Sequence, residues 1–90
     1  MSDEKLRELL ARVQDRLAKT GTIDQDSRAL LSTVVRDIER SLSRGGEHAV
    51  TRAKESAPRL EAFAVQLETE HPALAQALRQ FVDLLAKAGI

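Results

Sequence analysis

Several residue types that carry specialised chemistry are missing from this chain or scarce in it. It has no Cys, no Trp and no Tyr, and only two Phe and two Pro among its 90 residues. Without Cys, disulfides, thiolate metal sites and cysteine nucleophiles are excluded, and the redox compartment is left open. Without Tyr or Trp, the aromatic stacking common in single-strand nucleic-acid sites is disfavoured. These absences favour functions that need no specialised side chains.

The chain has no net positive charge that would attract a polyanion. Lys plus Arg number 14 and Asp plus Glu number 14, so the net charge is zero. A chain without net charge has no long-range field for nucleic acid or an anionic membrane. No apolar run approaches the roughly 18 residues of a membrane span, and the first residues, Met1 to Lys5, are mostly charged or polar. We therefore expect neither export nor a membrane anchor, and a cytoplasmic location.

The composition is that of an ordinary folded domain. Apolar residues make up 42% and charged residues 31% of the chain, which disfavours disorder. A chain of 90 residues can bury one modest core. The sequence therefore predicts a single domain over residues 1–90.

The first helix is predicted from Ser2, as N-cap, to a stop at Gly21. Its apolar residues recur at helical spacing and form one stripe: Leu6, Leu9, Leu10, Val13 and Leu17. The second helix begins after Asp24 as N-cap, or two residues earlier with a capping box of Thr22 and Gln25. It ends at Arg44-Gly45-Gly46. Its apolar face is broad, which predicts the central helix: Leu30, Leu31, Val34, Val35, Ile38 and Leu42.

The third helix contains a proline within an otherwise continuous apolar pattern. Residues at alternating spacings of three and four keep one register across Pro58: Val50, Ala53, Ala57, Leu60, Ala64 and Leu67. Two structures fit, a continuous helix kinked there, or a short helix ending near Ser56 and a new one with Pro58 in its first turn. We favour a break or kink at Ala57. Helicity of residues 47–56 would depend on the rest of the fold, because Val50 is their only large apolar residue.

The fourth helix is predicted to begin at Pro72, with His71 held outside helical geometry by the proline ring. Its apolar face is formed by Leu74, Ala77, Leu78, Phe81, Leu84, Leu85 and Ala88. Gly89 fits a left-handed C′ site, which would let Ile90 pack back on Leu85. The short joints predict an all-α, up-down antiparallel bundle of about four helices, or two helical hairpins completed by a second chain.

The sequence offers few candidate sites for chemistry. Glu68 and His71 have the Glu-x-x-His spacing of di-iron bundles, but the motif occurs once, at a helix end beside Pro72. His48 and His71 are the only histidines, and no catalytic set accompanies them. We therefore predict a turn at Glu68 to His71, and no catalytic, cofactor-binding or metal-binding residues. The chain is not expected to be an enzyme or to bind a small molecule.

Two further groups of residues have ordinary interpretations. Six arginines have acidic residues nearby in sequence, which is typical of solvated helix faces and makes nucleic-acid binding the less favoured function: Arg7, Arg12, Arg16, Arg36, Arg40 and Arg44. The two aromatics, Phe63 and Phe81, lie on or beside apolar stripes, which predicts core packing.

The two ends of the chain resemble a known family. The opening Leu6-Arg7-Glu8-Leu9-Leu10 and the closing helix are similar to a bacterial family of short proteins, domain of unknown function 4404. In that helix the likeness lies in His71-Pro72-Ala73-Leu74, Ala77-Leu78-Arg79 and Ala88-Gly89-Ile90. The resemblance covers nearly the whole chain and implies a stand-alone bacterial helical protein, with no activity or functional residue to carry over. Ser56-Ala57-Pro58 departs from the uninterrupted helix usual there.

The remaining positive feature is the Leu- and Ala-rich periodicity, which suits association between helices. It predicts a protein–protein interaction module that forms a homodimer or binds another protein, through the broad face of the second helix. The alternative is a small nucleic-acid-associated regulator that uses the row Arg36, Arg40 and Arg44.

Overall fold

The computed structural model of the chain describes the backbone of residues 2–45 and 49–87, and the side chains from Glu4 onward within those ranges. They contain five helices: α1 (Ser2–Lys19), α2 (Gln25–Arg44), α3 (Ala49–Lys54), α4 (Ala57–Leu67) and α5 (Pro72–Lys87). No strand occurs in these ranges, so the predicted all-α class is confirmed. None of the five helices has both the length and the apolar composition needed to cross a bilayer.

Helices α1 and α2 form an antiparallel hairpin joined by hydrogen bonds at both ends. Near the start of α1, Arg7 Nη2 donates to the carbonyl of Leu42, close to the end of α2, at 2.9 Å. At the opposite end, Arg28 in α2 donates to the carbonyls of Leu17 and Thr20 at the end of α1. Each long side chain therefore ties the start of one helix to the end of the other.

The caps of α2 are those predicted. Asp24 is its N-cap, and the carboxylate accepts a hydrogen bond from the backbone N–H of Ser27 at 3.3 Å. At the other end, Gly45 has a φ of +69° and donates its N–H to the carbonyl of Leu42 at 3.2 Å. Such a φ strongly favours glycine, which explains the helix stop.

The end of α1 differs in detail from the expectation. The helix ends at Lys19, two residues before Gly21, which has no positive φ. Thr20 closes the last turn instead, because its hydroxyl donates to the carbonyl of Arg16 at 2.6 Å. Arg28 satisfies further carbonyls there. These side-chain donors, together with the backbone N–H of Thr20, which donates to the carbonyl of Leu17 at 3.3 Å, therefore end this helix, and Gly21 lies in the loop that follows.

The chain is interrupted between α3 and α4, so five helices are found in the described ranges where about four were expected. Helix α3 ends at Lys54 and α4 begins at Ala57, with Pro58 in its first turn. The N–H groups of Glu55 and Ser56 turn back to carbonyls three residues earlier. Pro58 has no N–H to donate, which is harmless in the first turn of a helix but not in its interior.

The core is one continuous cluster of apolar side chains drawn from all five helices and the α1–α2 loop. Phe81 is completely buried, as predicted, and Phe63 is half-buried against the cluster. Of the predicted stripe on α1, Leu9 is only half-buried and the other four residues are buried. No side chain of a polar or charged residue is buried among the described residues.

The central helix is α5, and the expectation for the second helix was wrong. Helix α5 packs most extensively of the five, against α1, α3 and α4. Successive residues of a helix are about 100° apart around its axis. Viewed down this axis, the buried residues of α5 cover an arc of about 160°, with Ala77 at one edge and Ala75 at the other. The buried residues of α2 cover an arc of only about 100°, with Val34 at one edge and Val35 at the other. The small side chains that widen the arc of α5 allow neighbours to approach on two sides.

Leu30 was also assigned wrongly to the buried face of the second helix. Its side chain is 61% exposed. Leu31 lies at the centre of the buried stripe, and Leu30 lies about 100° around the helix from it. The side chain of Leu30 therefore points away from the core. The actual buried face is narrower than the sequence suggested.

Some predicted features fall outside the described residues. They are the capping side chain of Ser2, the second glycine Gly46, His48, and the Gly89–Ile90 motif with its contact to Leu85.

Candidate interaction surface

Helix α5 has α4 and α1 as its two main neighbours, and we call the surface that these three helices form the α4–α5–α1 layer. Helix α5 packs extensively against both α4 and α1, whereas α1 and α4 make little contact with each other. Helix α5 therefore lies in the middle, and its outer residues are exposed along its length, among them Gln76, Gln80 and Asp83. Two grooves result, one on each side of α5.

The α4–α5 groove is open, has a volume of about 880 Å³ and is largely apolar. Its apolar lining comes from both helices: Pro58, Ala62 and Val65 from α4, and Val82 and Ala86 from α5. Val65 is 64% exposed, which is unusual for a large apolar side chain in this protein. Its only counterpart among the described residues is Leu30, on a different helix.

Two carboxylates lie beside this apolar lining, and we call Glu61 and Asp83 the acidic rim. Asp83 pairs with Lys87 one turn later at 3.2 Å, and both side chains are well exposed. Arg79 also lines the groove but is already paired with Glu68 at 2.9 Å. Because exposed pairs of this kind are weak, a competing cation could replace Lys87 at little cost.

The α1–α5 groove, on the other side of α5, is smaller and basic. Its volume is about 170 Å³, and it is lined by Arg12 and Arg16 of α1, which we call the basic rim, and by residues of α5. Neither arginine has an ion pair among the described residues. Gln76 and Gln80 line both grooves and form the crest between them. The layer is thus acidic and apolar on one side of its crest and basic on the other.

The Glu68-x-x-His71 motif forms the turn between α4 and α5, where it was predicted. The backbone N–H of His71 donates to the carbonyl of Leu67 at 2.7 Å, and its carbonyl accepts from Ala75 at 3.0 Å. Glu68 is engaged by Arg79. Within the described residues, no three His, Asp or Glu side chains are grouped so that they could hold a metal ion.

The arginines singled out in the sequence have different surroundings. Arg7 reaches the carbonyl of Leu42, so it serves the hairpin. Arg36, Arg40 and Arg44 are exposed along α2 and form no ion pair in the part of the chain described. Arg28 was not predicted to matter, because nothing in its spacing shows that the end of α1 lies beside it.

The match to a protein family covers almost the entire chain. One family model, described as a domain of unknown function (DUF4404), matches residues 6–90. The chain belongs to this family. The resemblance drawn from its two ends is thereby confirmed.

The description of DUF4404 names no activity, substrate or partner, so membership assigns no role to either groove. No curated protein matches this DUF4404 chain, and no solved structure matches it. Its function must therefore be inferred from its own surface.

Proposed function

We propose that this DUF4404 protein is a helical protein–protein interaction module that self-associates. The observation that carries the proposal is the open α4–α5 groove, with Val65 exposed in its apolar lining. Apolar surface that is exposed in a groove and bordered by polar residues is a feature of many binding sites. The groove replaces the face of the second helix as the binding surface, since that face is buried in the core.

The residues of the groove support binding more than catalysis. Its lining contains alkyl, carboxamide and charged side chains, and none of the lining residues is Ser, Thr or His. Carboxylates such as Glu61 and Asp83 can act as general bases or nucleophiles, but both are exposed here, and Asp83 is paired with Lys87 at 3.2 Å. We therefore propose a role in binding, without an enzymatic reaction, cofactor or small-molecule ligand.

The same proposal includes the arrangement of the helices. We propose an up-down antiparallel bundle in which α3 and α4 together form the third limb, interrupted near Pro58. The antiparallel α1–α2 hairpin and the short joint between α4 and α5 support this arrangement. A bundle whose third limb is interrupted leaves a groove that a second chain can cover.

The cellular setting is part of the proposal too. We propose a cytoplasmic protein of bacteria, which the resemblance to a bacterial family of short helical proteins supports. Fractionation of bacterial cells that carry the gene would test it, and recovery of the protein in the periplasmic or membrane fraction would contradict it.

Self-association is tested by sedimentation velocity across a wide range of protein concentrations, with two matched variants. Val65→Lys places a charge in the groove, and Leu30→Lys places one at a comparably exposed leucine on α2. Each new lysine follows an acidic residue by four positions, Glu61 or Asp26, so both changes suit the helix. We expect the wild type and Leu30→Lys to dimerise and Val65→Lys to remain monomeric.

The reverse pattern, with only Leu30→Lys monomeric, would move the interface to α2. A wild type that stays monomeric at millimolar concentration would contradict self-association.

A second candidate function is nucleic-acid binding, favoured by one observation. Arg36, Arg40 and Arg44 follow one another at four-residue spacing, exposed and without ion pairs among the described residues. Three such cations could contact successive phosphates. Electrophoretic mobility shift over a salt series would test it, because phosphate contacts are strongest at low salt. No shift at the lowest salt would eliminate this function.

A further inference from the structure

We infer that the α4–α5 groove receives Arg12 and Arg16 of a second copy of this chain, so that two copies pair face to face around a two-fold axis near Gln80. The inference rests on the proposed self-association and adds its geometry. Its basis is the distribution of charge on the α4–α5–α1 layer.

The chemistry of the groove fits an arginine side chain. Arginine has an apolar stem of three methylenes and a charged head that stays near water. The groove offers an apolar lining for the stem, including Ala62 and Val65, and the acidic rim of Glu61 and Asp83 for the head. Guanidinium groups bind carboxylates through two parallel hydrogen bonds, which adds specificity of orientation.

The same chain supplies arginines in a matching position. Arg12 and Arg16 are exposed one turn apart on α1 and have no ion pair among the described residues. They lie on the opposite side of α5 from the acidic rim. In a two-fold interface, each contact between a residue of the first copy and a residue of the second occurs twice, the second time with the two copies exchanged. Placing the axis along the crest of α5 therefore brings the acidic rim of each copy to the basic rim of its partner.

The residues near the axis are also compatible with this pairing. Gln76 and Gln80 form the crest and would face the same residues of the other copy. A carboxamide carries both donors and an acceptor, so it can pair with an identical group. A charged residue on the axis would instead face the same charge on the other copy and be repelled by it.

The size of the layer predicts a weak dimer. Helix α5 has 16 residues, hence a length of about 24 Å, and the molecule is 19 Å across its Cα atoms. The projected area of the layer is therefore about 450 Å² per copy, below the roughly 800 Å² per partner of a standard interface. Charges at the rims of such an interface set orientation and partner choice more than affinity. Association should thus weaken as salt rises.

Charge reversal with complementation tests the pairing. One variant carries Arg12→Glu and Arg16→Glu, and the other carries Glu61→Arg and Asp83→Arg. Each should dimerise at least about ten-fold more weakly than the wild type, because like charges then meet in both contacts. An equimolar mixture of the two should form a heterodimer, since opposite charges meet again in both of its contacts. The mixture also controls for folding, because an unfolded variant could not complement.

A matched control separates this effect from a change in net charge. Arg36→Glu and Arg40→Glu make the same change at the same spacing on α2, outside the layer. This variant should dimerise like the wild type. Sedimentation velocity at low and at high salt, with circular dichroism of each variant, supplies the measurements.

The outcomes distinguish the two levels of the proposal. A wild-type dimer that is unaffected by both reversals, or a mixture that does not recover association, overturns the arginine pairing and leaves self-association in place. A wild type that remains monomeric at low salt and millimolar concentration overturns both.

Discussion

Replacing Arg28 with Ala should destabilise the joint between α1 and α2. Two guanidinium nitrogens of Arg28 donate to the carbonyl of Leu17, at 2.8 Å, and to that of Thr20. Carbonyls in the last turn of a helix have no partner within it, and a cation there interacts favourably with the helix dipole. One side chain therefore gives the Leu17 carbonyl a second donor, beside the N–H of Thr20 at 3.3 Å, and also binds the carbonyl of Thr20.

The expected loss follows from the number and exposure of these bonds. A hydrogen bond from a charged donor contributes about 1.5–3 kcal/mol, but Arg28 is only half-buried, so water compensates part of each loss. We expect Arg28→Ala to lower the free energy of unfolding by about 2 kcal/mol in total. In a domain of this size, that corresponds to a fall in Tm of about 8–16 °C. Arg28→Lys retains the charge but not the forked geometry, and should lose about half as much.

The measurement is urea and thermal unfolding followed by circular dichroism, at one fixed protein concentration, because any dimer would add stability. Arg36→Ala is the control, since Arg36 is exposed on the same helix and donates no side-chain hydrogen bond in the described ranges. It should change stability by less than about 0.5 kcal/mol. If Arg28→Ala and Arg36→Ala unfold at the same midpoint, the hydrogen bonds at the end of α1 do not contribute as argued.

Three other predictions can be checked by the same urea titrations. Phe81→Ala should lower the free energy of unfolding by about 3–5 kcal/mol, because the ring is completely buried. Phe63→Ala should lower it distinctly less, because Phe63 is half-buried. Equal losses for the two variants would contradict the assignment of α5 as the central helix. Asp24→Ala removes the N-cap of α2 and should lower stability by about 1 kcal/mol, whereas no change would mean that the cap is replaced by water. Gly45→Ala should lower stability by about 1–3 kcal/mol, because its φ of +69° and ψ of −156° suit glycine alone. Gly21→Ala, with no positive φ and nothing within 4 Å of the added Cβ, should be neutral, and a loss equal to that of Gly45→Ala would refute the backbone argument.

Local features of this fold could be predicted because their causes lie within a few residues of each other. The carboxylate of Asp24 reaches an N–H three residues away, and Gly45 ends its helix through its own backbone. Pro72 begins α5 for the same kind of reason. Patterns of this range indicate where helices start and stop without any knowledge of their neighbours.

Features that depend on which helices become neighbours could not be predicted in this way. Periodicity places Leu30 next to an apolar stripe, but only packing shows that the stripe is too narrow to include it. Likewise, Arg28 becomes a cap only because α1 ends beside it. The candidate interaction surface could not be predicted for the same reason, since only packing places Glu61 and Arg12 on opposite sides of α5.

The short helix α3 has a consequence for the dynamics of the molecule. It has six residues, and its only buried side chains are the small Ala49 and Ala53. A helix this short is not stable alone in water, and burial of two methyl groups, with Val50 half-buried beside them, adds little. We expect its amide protons to exchange with solvent by local opening, at a free energy far below that of global unfolding, while those in the middle of α5 exchange only on global unfolding. Hydrogen exchange followed by mass spectrometry would show equal protection in both helices if this were wrong. Because α3 packs against α2 and α5 and is not part of the α4–α5–α1 layer, such opening would leave the binding face intact.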